Sequence, residues 1–323
     1  MDIQSFLYDA AGADTEVQPE DVDIRKLKEK QLLWINVLKR DDETLHRVAE
    51  AVKLEGVPFH AVTQTESRPR VEIYENFFRF RISSVEVKKD KRPKSVIIDY
   101  IVGRNFLVTV HEGDIGYFQE FRKREKGETN LGELDAESFL ATLLDLHIVS
   151  YFQAMEEVER RVDKFDEDIL KRMMNTDEFL SEMVQLRRDV SDLRRWLLPH
   201  RDVFYSLTRA DFRQIAESDS VDEFSRLNEH FENACDAIEG ARGTVLSIFE
   251  LYSTKAAQQT NHLIRQLTFF TLVVGSLGVI AGIFGMNYQL SYFESEAGFW
   301  FTVGAMGFIA ASWAVVAKIR GWL

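Results

Sequence analysis

Gly285-Met286-Asn287 closes the first of two long uncharged stretches near the end of the chain, and the oxygens it offers are all neutral. They are one side-chain amide and the backbone carbonyls of Gly285 and Met286. Hard cations prefer oxygen, and Mg2+ gives up its waters reluctantly. Neutral oxygens that touch a hydration shell therefore suit it better than a tight charged cage. Gly285 would let the backbone approach such an ion closely. The same tripeptide also suits a helix C-cap, since Gly and Asn both fill that role. The two readings are compatible.

Inward from Asn287, Asn261, Ile264, Thr268, Thr271, Gly275, Gly278, Gly282 and Gly285 recur at spacings of three and four, so a helix puts them on one face. Apart from Ile264 and its neighbour Leu267, that face is small or polar. A pore wall wants this pattern: room for a hydrated ion, then an apolar constriction that gates by dewetting. Helix packing is the competing use, because Gly278 and Gly282 form a GxxxG pair. No ionisable residue lies inside the span between Gln266 and Gly285, so any conduction there depends on dipoles. Just beyond it, Glu294 and Glu296 either concentrate cations at an entrance or form an ordinary solvated loop.

The elements that must hold these residues are membrane helices. Gln266 to Phe293 contains no Asp, Glu, Lys or Arg, and neither does Ala297 to Ala317. Both exceed the ~20 residues needed to cross a bilayer, and a two-helix hairpin satisfies its own backbone in lipid. Lys255 and Arg265 precede the first span, Lys318 and Arg320 follow the second, and the loop between carries only acidic charge. The positive-inside rule puts both termini in the cytoplasm and the loop outside, with Tyr288, Tyr292, Phe293, Phe299, Trp300 and Trp322 suited to the interfaces. Met1-Asp2-Ile3-Gln4 lacks the basic start and apolar core of a signal peptide.

The remainder is an acidic body. The 323 residues carry 40 basic and 53 acidic side chains, net −13. Only three basic and two acidic residues lie from Arg265 onward, which leaves the first 264 residues at −14. That charge disfavours nucleic acid as a partner. It suits cations, although acidity is also a solubility device. The single cysteine, Cys235, excludes an intrachain disulfide and a cysteine zinc cage, and reads as a small core or interface residue.

Residues 1–130 read as an α/β domain. Leu32 to Val37, Val71 to Val87 (one strand or two), Val96 to Val102 and Phe106 to Val110 have strand character, with a turn at Gly103-Arg104-Asn105. Asp41 to Leu54 reads as a helix capped by Asp41 or Asp42. Residues 131–220 read as two antiparallel helices, divided at Asn175-Thr176 and ended by Pro199. No proline follows Pro199. Apolar residues from Phe224 to Tyr252 recur at three and four, so residues 221–286 read as one long helix running into the first span. About 60 residues make ~90 Å. The alternative is a break near Gly240 or Gly243. So long a stripe predicts association between copies of the chain. Residues 287–298 form the outer loop and 299–323 the second span and tail.

Several features coincide: Gly285-Met286-Asn287 after a first span, a second span, and a charged tail ending Trp322-Leu323. Upstream come Tyr252-Ser253, Thr260-Asn261-His262, Leu33-Trp34-Ile35-Asn36, Arg68-Pro69-Arg70-Val71-Glu72-Ile73-Tyr74, and Phe106-Leu107-Val108-Thr109-Val110-His111-Glu112. Together these resemble the CorA family of divalent-cation channels and transporters over nearly the whole chain. The resemblance implies an α/β cytoplasmic domain followed by long helices and a two-helix transmembrane hairpin, assembled as a homopentameric funnel in a prokaryotic inner membrane. The first span would line the pore, the second would face lipid, and Asn287 would meet the incoming hydrated cation. Aligned without gaps from the tripeptide, Asn261, Ile264, Leu267, Thr271 and Gly275 fall on the family's pore-facing positions.

Two departures bear on the ion. Magnesium-gated members carry Met-Pro-Glu-Leu soon after the tripeptide, where this chain has Tyr288-Gln289-Leu290-Ser291-Tyr292-Phe293-Glu294. They also bind a regulatory metal between neighbouring cytoplasmic domains, and the two aspartates expected there fall on Arg226 and near Lys88. Two cations cannot hold Mg2+; Arg226 would pair instead with Asp90 or Glu86 of a neighbouring copy. Asp222, Glu223, Glu229 and Glu232 lie nearby and form either a different metal site or a solvated helix face. These departures resemble the family's zinc-transporting, proton-coupled branch. Zinc prefers imidazole and thiolate, yet His46, His60, His111, His147, His200, His230 and His262 show no metal-ligand spacing, and His262 beside Asn261 reads more readily as structural. Mg2+ is the first expectation, with Co2+ and Ni2+ as passengers, and Zn2+ is the second.

An enzyme is not indicated. There is no P-loop, GxGxxG, HExxH or GxSxG motif. Without an ATP site the driving force would be the membrane potential, worth about 4–5 kcal/mol for a dication at 100 mV. A membrane-anchored sensing protein that no longer conducts is the third reading.

Overall fold

The structure is a computed structural model that describes residues 2–10, 14–28, 30–51, 62–63, 68–86, 92–113, 115–125, 135–171, 176–216, 218, 220–286 and 295–321. It divides into two compact units, Met1–Leu246 and Ser247–Leu323.

The first unit is built on a seven-stranded sheet ordered β2-β1-β3-β7-β6-β5-β4. Its strands are β1 (Ile3–Asp9), β2 (Thr15–Glu16), β3 (Gln31–Val37), β4 (Arg70–Ile73), β5 (Phe77–Glu86), β6 (Lys94–Gly103) and β7 (Phe106–Val110). Only β3 and β7 pair in parallel; the other neighbours are antiparallel. The Val71–Val87 stretch is therefore two strands. At the β6–β7 turn, a Cβ on Gly103 would fall 2.2 Å from the Phe106 ring, so that turn needs glycine. Strand β1 pairs with β3 along its whole length and was not legible beforehand.

Period-two alternation sorts the side chains between two faces. Leu33, Ile35, Val37, Val108 and Val110 meet Leu45 and Val48 of helix α1 (Asp42–Ala51). Asp41 caps that helix, accepting from Thr44 N at 2.9 Å. On the other face Trp34 packs against Phe6, Phe118, Phe121 and Phe139, with centroids 5.5–6.0 Å apart. Those aromatics come partly from α2 (Gly116–Glu125) and α3 (Ala136–Lys171).

Strand β5 places Phe78, Phe80 and Ile82 on one face and Arg79 and Arg81 on the other. Both arginines are buried against Asp99 of β6, which is also fully buried. Arg81 Nε and Nη2 each donate to Asp99 at 2.9 Å, and Arg79 Nε donates at 2.9 Å. Arg40 pairs with the same carboxylate and donates to the carbonyls of Val62, Ile97 and Val110, each at 2.8 Å. Burial alone would raise the Asp99 carboxyl, but Arg81, Arg40 and Arg79 more than reverse this and hold it below the usual range.

Helix α4 (Thr176–Leu197) ends just before Pro199, as the sequence suggested for that proline. Pro199 itself lies in a 3-10 turn, Leu198–His200, that leads into α5 (Arg201–Leu207), because proline is tolerated at the start of a helical turn. The four-residue α6 (Arg213–Ala216) follows. At this turn His200 Nε2 accepts from Ser83 N at 2.9 Å, and Tyr151 donates to Ser83 O at 2.7 Å. The register of β4 reaches only Arg81, so these two side chains satisfy the β5 edge where β4 has stopped.

Helix α7 (Val221–Phe284) runs 64 residues without a break at Gly240 or Gly243. From Phe224 to Val245 its apolar stripe is buried, Cys235 included. The partners are the chain's own: Phe231 stacks on Phe204 at 4.4 Å, His230 bonds Asp145 at 2.7 Å, and Arg201 pairs with Glu232 at 2.7 Å. That part of the stripe is therefore an internal core contact and carries no argument for association between copies. Helix α8 (Glu296–Ile319) completes the chain.

Candidate functional site

The second unit consists of the later part of α7 and of α8, each long and apolar enough to cross a membrane. On α7 a half-buried stripe runs through Gln266, Phe269, Leu272, Val273, Ser276, Leu277 and Ile280. On α8 a buried or half-buried stripe runs through Gly298, Thr302, Ala305, Met306, Ile309, Ala310, Trp313 and Ala317. Small residues at five of these eight positions let helices approach closely without a hydrophobic driving force.

The candidate pore residues lie elsewhere on α7. Asn261, Ile264, Leu267, Thr271, Gly275, Gly278 and Gly282 are all exposed, Ile264 at 54% and Leu267 at 67%. At ~100° per residue they sit on roughly the opposite side of the helix from the covered stripe. Thr268 and Thr271 donate to the carbonyls of Ile264 and Leu267, each at 2.8 Å. With their protons committed to the backbone, these hydroxyls present only lone pairs outward. Such a surface accepts hydrogen bonds from the waters around a cation.

At the outer end Gly285 N donates to Ala281 O at 2.8 Å and Met286 N to Ile283 O at 3.2 Å, so the last turn is closed by backbone bonds. Gly285 is not among the described glycines with positive φ, so it makes no left-handed cap. A Cβ there would lie 3.1 Å from Ala281 O, so it serves close approach instead. Met286 is exposed. Asn287 and Glu294 lie outside the described residues, and Glu296 opens α8 with Ser295 as its cap.

In the soluble unit, Arg226 is exposed and its side chain has no hydrogen bond or ion pair among the described residues. Lys88 and Asp90 lie outside the described residues. Asp222 is exposed, Glu223 is half-buried, and Glu232 is engaged by Arg201. No three His, Cys, Asp or Glu side chains gather among the described residues, so the acidic set around Asp222 forms no cluster of that kind there. His262 bonds Gln266 one turn away at 3.2 Å. Sequence spacing did miss one pairing: His147 and His200 come together with ring centroids 5.4 Å apart in the core. It also missed the Arg40–Arg79–Arg81–Asp99 cluster, whose only advance signal was arginine at alternate positions in an aromatic strand.

A mixed α/β body is followed by two helices long and apolar enough to cross a membrane, the first of them continuous with the 64-residue α7. A family model described as CorA-like Mg2+ transporter protein matches residues 29–318, and the chain belongs to that family of divalent-cation transporters. The cobalt/magnesium transport protein CorA of Thermotoga maritima is 26% identical over 297 residues, covering 90% of this chain and 83% of that one. The complete structure of the CorA magnesium transporter from Methanocaldococcus jannaschii superposes with a TM-score of 0.80 at 19% identity, covering 99% and 98% of the two chains. The full-length CmaX protein is similar too, with a TM-score of 0.74 at 16% identity, covering 98% and 97%. At these identities the solved structures establish the fold.

Proposed function

We propose that this chain forms a homopentameric channel for divalent cations, with Mg2+ as the principal ion and Co2+ and Ni2+ as further cargo. Both termini lie in the cytoplasm of a prokaryotic inner membrane. The outer half of α7 lines the pore and α8 faces lipid. Asn287, with the carbonyls of Gly285 and Met286, meets the hydrated ion at the mouth, and Glu294 and Glu296 draw cations toward it. The observation that carries this reading is the exposed stripe from Asn261 to Gly282: mostly small, uncharged, acceptor-bearing, and on roughly the opposite side of α7 from its half-buried stripe. In lipid such a face needs partners, and a ring of five copies supplies them around a lumen. Ile264 and Leu267 then form the apolar constriction.

Flux into proteoliposomes tests this, with wild type beside Asn287→Ala, the potential clamped and the pH gradient varied. Mg2+ uptake that follows the potential and is lost in the mutant is the expected result. The Tyr288-Gln289-Leu290 sequence after the tripeptide supports Zn2+ as a second reading. Zn2+ uptake that follows the proton gradient would replace magnesium with it. No flux of either ion would make the stripe a packing surface and the protein a sensor.

A further inference from the structure

Well before the span, helix α7 leaves two large apolar side chains uncovered: Leu246 is 47% exposed and Phe249 50%. Both lie outside the buried stripe formed there by Ala241, Val245 and Ile248. Single exposed apolar residues are ordinary and would carry no meaning alone. Their register supplies it. Leu246 precedes Ile264 by 18 residues, and Phe249 precedes Leu267 by the same 18. At 3.6 residues per turn that is five whole turns. Because α7 is unbroken, the earlier pair repeats the later one on the same side of the helix, ~27 Å further from its outer end.

The surface between the two pairs is of a different kind. On that side of the helix it consists of Glu250, Ser253, Ala257, Thr260 and Asn261, all exposed and none of them large and apolar. Thr260 donates to Ala256 O at 3.0 Å, as Thr268 and Thr271 do to their own preceding turns. Its outward lone pairs therefore accept from water, like theirs. A wettable stretch is bounded by an apolar pair at each end.

We propose, on the reading of α7 as the pore wall, that Leu246 and Phe249 form a second apolar constriction at the inner end of the conduction path, in series with Ile264 and Leu267. Copies of the chain set around one axis turn both pairs toward the lumen, because the pairs share one side of the helix. Apolar rings gate by dewetting. Two of them with a wet chamber between interrupt the path at two depths, so either ring alone stops the flow. Phe249 is the larger of the inner pair and sets the inner barrier.

Mg2+ flux into proteoliposomes containing the full chain tests this, with Cd2+ added on the side of the soluble body. Thiolates gathered around an axis hold a soft cation such as Cd2+, and the native Cys235 is buried. Phe249→Cys should lose its flux when Cd2+ is added and regain it with a chelator, while wild type is unaffected. Gln258→Cys is the control: Gln258 is exposed and lies nine residues, half a turn around the helix, from Phe249. It should be as insensitive as wild type. Phe249→Asn, which makes the inner ring wettable, should raise the flux above wild type, with the mass of the assembly unchanged by native mass spectrometry. Insensitivity of Phe249→Cys, equal sensitivity of Gln258→Cys, or flux in Phe249→Asn no higher than wild type would each overturn the inner constriction and leave the channel standing. Absence of wild-type flux would overturn both.

Discussion

Asp99 shows how one buried charge is kept ionised. Three guanidiniums converge on it, and removing the carboxylate would leave them buried without their common counter-ion. Asp99→Asn should therefore cost about 3–5 kcal/mol, read as a large drop in the thermal unfolding midpoint. Because its folded value lies below the unfolded one, its contribution is full above about pH 4 and falls away as pH drops through the lowered folded value. The buried histidines act at milder acidity. Burial lowers His200 to about 4, against the upward pull of its bonds to Leu197 and Trp196, and burial lowers His147 well below the ordinary range. An unfolded histidine takes a proton near 6.5, so acidification from about 6.5 to 4 favours unfolding. For His200 alone the gap is worth roughly 3 kcal/mol at ~1.4 kcal/mol per pH unit. Urea unfolding at pH 7.5 and pH 5 should show the loss. Neither ring nitrogen of His147 has a hydrogen-bond partner among the described residues, so His147→Leu should be neutral or stabilising and should flatten the pH dependence.

Among the elements, helix α7 was the most legible in the sequence. Its apolar spacing and lack of proline carry straight through to a 64-residue helix. What the stripe packs against was not legible, because periodicity reports that a face is covered and not by what. The strands from β3 to β7 were readable from alternation and turn residues. Strand β1, Ile3-Gln-Ser-Phe-Leu-Tyr-Asp9, mixes polar and apolar positions too evenly to stand out, and its pairing with β3 is a tertiary fact. Pro199 marked the end of the long helix pair, and the short helical elements that follow it were not legible, because a proline can open a helical turn as well as close a helix. The small exposed stripe from Asn261 to Gly282 was legible as a face, and the structure adds that it lies on roughly the opposite side of α7 from the half-buried one. Gly240 is a test of the helix itself. A Cβ there meets nothing within 4 Å, so Gly240→Ala should raise stability by about 0.5–1 kcal/mol through backbone entropy. A loss instead would place another chain against that position.

At the scale of the whole molecule, the predictions concern assembly and sidedness. The detergent-solubilised protein should have the mass of five 37.4-kDa chains by native mass spectrometry; any other multiple would remove the pentamer. Sidedness can be read cleanly because Cys235 is the only cysteine and is buried. A membrane-impermeant maleimide added to intact cells should label Glu296→Cys and spare Ser253→Cys, and the reverse pattern would invert the topology.

The parallel pairing of β3 with β7 also has a temporal side. Trp34 and Thr109 are hydrogen-bonded partners 75 residues apart. At about 5–20 residues per second, a ribosome releases β3 roughly 4–15 s before the strand that must lie beside it. During that interval the β1–β3 pair has one finished edge and one bare one, with Leu33, Trp34, Ile35 and Val37 uncovered. Both membrane helices are still unmade at that point. The most aggregation-prone moment in the life of this membrane protein therefore falls in water, early in synthesis, and a chaperone at the ribosome exit would have its largest effect on yield there.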